Sequence, residues 1–94
     1  MKIFLLEPQE NLGKDNAWEP WYDKAFGFVI VANNEIEARK IANESGGDET
    51  GDRRCLVYRT GGNPWLDPKQ SKCIELKAEN YKEGEMILRD FASA

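Results

Sequence analysis

The stretch that most restricts what this chain can fold into is GFVIVA, residues 27–32, followed at once by NNEIEARKIANESGG. β-branched and aromatic side chains in unbroken succession have the composition of a strand, and the lack of alternation predicts burial on both faces, as in a central strand. The next residues supply a helix with both ends marked. Asn34 is placed as N-cap, Glu37 follows three residues later as in a capping box, and Gly46 is suited to the left-handed conformation past the last turn. Ile36, Ala38, Ile41 and Ala42 recur at helical spacing, while Glu35, Arg39, Lys40 and Asn43 fill the opposite side. A strand joined directly to a helix with one narrow apolar face requires a sheet on which that helix can lie.

The rest of the chain supplies the sheet. MKIFLLEP predicts a first strand at Lys2–Glu7, stopped by Pro8, which has no backbone N–H to donate. QENLGKDNA is polar, without either hydrophobic period, and reads as a loop. RRCLVYR predicts a third strand, SKCIEL a fourth, and EMILRDF a last one around Met86, Ile87 and Leu88. Between them, TGGNPWLDPKQ holds Asn63-Pro64 and Asp67-Pro68, each able to begin a tight turn. At 94 residues the chain has material for a single domain, residues 1–94. The expected fold is α+β: a small antiparallel sheet of four or five strands with one helix packed on a face, in the order β-β-α-β-β-β.

Residue types exclude several chemistries. With no histidine in the chain, the Ser-His-Asp and Cys-His arrangements cannot be built. Cys55 and Cys73 without histidine cannot make a usual structural zinc site, and each sits in an apolar strand-like segment as a small buried residue would. The junction Ala32-Asn33-Asn34 lacks the glycines of a phosphate-binding turn. Glu44, Asp48, Glu49 and Asp52 are close in sequence but miss calcium-loop spacing and read as a solvated acidic loop. Thirteen basic against seventeen acidic residues give a net charge of −4, which argues against a phosphate grip, even with Arg53, Arg54 and Arg59 around one strand. No apolar run is long enough for a signal-peptide core or a membrane span, so the expected location is the cytoplasm. No cofactor or metal is expected, nor an enzymatic activity.

What remains is the aromatic segment WEPWYDKAFGF, residues 18–28, and Trp65 on the turn NPWLDP. Phe26 and Phe28 belong to the central strand and its approach, and are assigned to the core. Trp18, Trp21 and Tyr22 fit neither strand nor helix period. Two readings stand side by side: an irregular segment pinned to the sheet by its indoles, or a partner-facing patch. In the second, Trp18, Trp21, Tyr22 and Trp65 are anchors, with Glu19 and Asp23 orienting the partner at the rim. An exposed sheet edge would also permit homodimerisation.

As strings, WEPWYDKAFGFVIVANNEIEARKIANESGGDE, WLDP and MILRDF together resemble a group of short bacterial and phage proteins to which no activity is attached. The plan MKIFLLEP, FVIVANNEIEARKIA, LVYRTGG is similar to that of small phage anti-CRISPR proteins, and this implies a protein that acts by binding a host defence complex. The leading expectation is therefore a non-enzymatic protein-binding module of phage or mobile-element type. The alternatives are a small-ligand-binding or carboxylate-dependent enzyme domain, and a nucleic-acid-binding domain acting through the arginines.

Overall fold

The computed structural model describes residues 1–10, 12–13, 16–19, 23–50 and 63–89. The expected third strand, with Arg53, Arg54, Cys55, Tyr58 and Arg59, lies outside the described residues, as do Trp21, Tyr22 and Asp52. The described elements run β1 (Lys2–Pro8), β2 (Phe28–Ala32), α1 (Glu35–Ser45) and β3 (Ser71–Glu75), with short 3₁₀ turns at Asp48–Thr50 and Ala78–Asn80. The chain is thus an α+β fold with, among the described residues, one α-helix and a three-stranded antiparallel sheet in the order β2-β1-β3.

Two expectations about the sheet are corrected. First, among the described strands the central one is β1: Phe4 stands opposite Ile30 on one side and Glu75 on the other. GFVIVA is an edge among the described strands, and its second face is half open instead of buried. Second, Met86–Leu88 is not a strand. After Leu76, whose N–H reaches the Ile3 carbonyl at 2.7 Å, the chain turns through Ala78–Asn80 and again at Gly84, whose φ of 85° suits glycine. It then passes beside Gly27, where a Cβ would meet the Leu88 side chain at 3.7 Å. These residues form a strap across the sheet instead of extending one of its edges.

Strand alternation divides the sheet into two faces. Phe4, Leu6, Ile30 and Ala32 turn inward and pack with Ala38 and Ala42 of α1 and with Ala17, Trp18 and Trp65 in one core cluster, against which Phe26, Phe28, Ile41 and Cys73 also lie. The two alanines, fully buried, let the helix approach closely, as their spacing predicts. Asn34 caps as expected: its Oδ1 accepts from the Glu37 N–H at 2.8 Å. Gly46 does not. Its backbone is extended (φ −71°, ψ 167°), and glycine is required there for space, because a Cβ would come within 2.7 Å of Glu49 Oε2. Ile36, expected on the buried stripe, is 81% exposed, while Arg39, expected in solvent, is buried.

Candidate protein-binding surface

Two groups of residues merit comparison: a buried polar cluster beneath the helix and the exposed outer face of the sheet. The polar cluster is held together by Glu49, Trp65, Arg39 and Ser71. Glu49, expected in a solvated loop, is fully buried. Its Oε1 accepts from the N–H groups of Ala25 (2.9 Å) and Gly47 (3.0 Å), and its Oε2 from Trp65 Nε1 (2.7 Å) and Gly47 (3.0 Å). A buried carboxylate is tolerable only when so satisfied. Opposite it, Arg39 Nη1 donates to the Trp65 carbonyl (3.0 Å) and Ser71 Oγ (2.8 Å), Nη2 to the Ser71 carbonyl (3.1 Å), and Nε to Glu35 Oε2 (3.0 Å). Ser71 Oγ in turn donates to the Pro64 carbonyl at 2.7 Å. The fork geometry of the guanidinium thereby ties α1 to the turn at residues 63–71. Every one of these groups is engaged inside the protein, so the cluster is a fastening for the loops around the core.

The fate of the six expected site residues follows. Trp18 and Trp65 are core, at 5% and 0% exposure, with ring centroids 5.3 Å apart edge to face; Trp65 meets Phe28 similarly at 5.0 Å. The Trp18 indole N–H donates to the Ala25 carbonyl at 2.8 Å. For these two rings the pinned-segment reading holds, and neither is available as a surface anchor. Glu19 and Asp23 are exposed. Trp21 and Tyr22 lie outside the described residues. The structure therefore does not assemble the expected aromatic patch from Trp18 and Trp65.

The surface that is available lies on the opposite side of the sheet. Ile3, Leu5, Val29, Val31 and Ile74 alternate with the core residues and point away from the helix. The register sets Leu5 between Val29 and Ile74, and Ile3 beside Val31. Leu5 is buried, yet Ile3, Val29 and Val31 remain 45%, 55% and 56% exposed. Beside them, the strap leaves an open groove of about 560 Å³ lined by apolar side chains such as Ile3, Val29 and Ile87 and by the charged Lys77, Lys82 and Glu83. Sequence reading missed this site because an apolar strand run looks the same whether its second face is covered or open.

Among titratable groups, burial, assisted by Glu35, pushes the Cys73 thiol above its ordinary value of 9.0, so it is a poor nucleophile. Asp67 is held below 3.8 by the hydrogen bonds from Gln70 and the Lys69 N–H. Among the described residues no cluster of carboxylates and thiols fits a metal ion, and no helix is long and apolar enough to cross a membrane. No protein family, curated protein or solved structure matches the chain.

Proposed function

We propose that the protein is a non-enzymatic protein-binding module whose contact surface is the outer face of the sheet. The observation that carries this reading is the group Ile3, Val29 and Val31: contiguous apolar side chains, on rigid strands, each close to half exposed. A face of this kind loses water on docking without reorganising its backbone, and the charged Lys77, Lys82 and Glu83 in the lining of the groove would orient a partner. The resemblance to phage proteins that bind host defence complexes supports a host nucleic-acid-handling assembly as the first partner class to test. The chain's net charge of −4 suits the arginine-rich surfaces of such assemblies.

The test is affinity capture from bacterial lysate with three tagged proteins: native, Ile3→Glu, and the double variant Trp21→Ala, Tyr22→Ala, each first shown to be folded. A stoichiometric partner retained by the native protein and the aromatic variant but lost by Ile3→Glu supports the outer face. Loss with the aromatic variant alone would return the contact to the segment around Trp21 and overturn this reading.

A further inference from the structure

We propose that the chain self-associates through β2, two copies pairing antiparallel about a two-fold axis at Ile30 to make one continuous sheet. The edge is defined by the ladder itself. Two bonds fix the β3 side of β1: the Ile3 carbonyl accepts from the Leu76 N–H, and the Gln9 N–H donates to the Gln70 carbonyl. Backbone groups alternate sides along a strand, so Phe4 and Leu6 turn theirs to β2. By the register, Ile30 and Phe28 answer them, and the N–H and C=O groups of Val29 and Val31 point away from the sheet. Among the described residues nothing pairs with that edge.

Natural sheets guard such edges with charge, proline or a bulge. β3 carries Lys72 and Glu75. β2 reads Phe-Val-Ile-Val-Ala and carries no guard. That contrast marks β2 as a strand built to be paired, and its sequence favours a second copy as the occupant. With the axis at Ile30, Val29 stands opposite Val31 of the other copy and Phe28 opposite Ala32, so every strand residue has an apolar partner and no like charges meet. The faces also agree. Val29 and Val31 both project outward, and a two-fold axis perpendicular to the sheet keeps outward residues outward, so each helix stays on the inner side. One outer row would then read Ile74, Leu5, Val29, then Val31, Ile3 and Leu76 of the second copy. This arrangement stands apart from the partner-binding reading, although it would double the proposed contact face.

Sedimentation equilibrium of purified protein without any partner, from about 1 μM to about 1 mM, covers the affinity range of a small strand interface. Native protein should pass from 10.7 kDa to twice that mass, and the dimer should tighten with added salt as repulsion between two acidic copies is screened. Val31→Pro removes an outward N–H that β1 does not use and should hold the chain monomeric, as should Val31→Lys if the proline variant fails to fold. Ile74→Lys, on the same face but two strands away, should leave the dimer intact. A native protein monomeric throughout, or a dimer abolished by Ile74→Lys and not by either Val31 variant, would overturn the proposal, the latter in favour of face-to-face stacking.

Discussion

Replacing Glu49 by glutamine removes one negative charge and changes the shape of the side chain hardly at all, yet it should be among the most damaging single substitutions in the protein. Three N–H donors converge on the two carboxylate oxygens, from Ala25, Gly47 and Trp65, in a site with no exposure. An amide offers one oxygen. Oriented one way it keeps Ala25 and Gly47 and orphans the Trp65 indole; oriented the other it keeps Trp65 and orphans Ala25. Either way a buried donor loses its acceptor, and the new NH₂ is driven against N–H groups. Each unsatisfied group costs about 1–3 kcal/mol, so the expected loss is about 2–5 kcal/mol, against a total of about 5–15 kcal/mol for a domain. Urea unfolding followed by tryptophan fluorescence reads this directly. With a slope of about 1–1.5 kcal/mol/M for so small a chain, the midpoint should fall by about 1–5 M. A shift below about 0.5 kcal/mol, the response of an ordinary surface site, would mean that the Glu49 carboxylate is not needed to satisfy these donors.

The companion change Arg39→Lys keeps the charge but loses the fork that reaches Trp65, Ser71 and Glu35 together, and should cost about 2–3 kcal/mol by the same unfolding assay. In a Cys55→Ser background, Cys73 should react with a thiol reagent at pH 8 more slowly in folded than in unfolded protein, the thiolate being disfavoured by burial. Its raised value also sets a sign for stability. The contribution is complete below the ordinary thiol value of 9.0 and is lost as pH rises toward the folded one, so Cys73→Ser should flatten the alkaline decline in the unfolding midpoint.

Local signals in the chain were legible where the local environment decides the outcome. The Asn34 cap, the close-packing Ala38 and Ala42 and the strand around Cys73 follow from nearest-neighbour chemistry, whereas the first strand, expected to stop at Glu7, runs through Pro8, which pairs with Ser71 in spite of its missing N–H. The turn after Asn63, closed by Leu66 N–H on the Asn63 carbonyl at 3.0 Å, follows from local chemistry too. The largest failures depend on residues distant in sequence. Arg39 is buried because the carbonyls of Trp65 and Ser71 lie above it, and helical periodicity contains no trace of them. Glu49 looked like one acid among four until the Trp65 indole was in place. Ile36 sits at a core spacing but off the narrow stripe that two alanines define. The site itself was obscured for a related reason: tryptophans attract attention as anchors, whereas the three aliphatic residues Ile3, Val29 and Val31 look like ordinary strand residues until the sheet shows which face lies beneath the helix.

The proposed contact surface is the outer face of the sheet and not the loop before β2. A photo-crosslinking amino acid placed singly at Ile3 or at Asp23 tests this most directly, because both positions are exposed and neither change needs to weaken binding. Irradiated in bacterial cells, the Ile3 protein should give an adduct of defined mass, distinct from a doubled chain, and the Asp23 protein none. An adduct from Asp23 with none from Ile3 would place the partner on the aromatic loop and rule out the outer face.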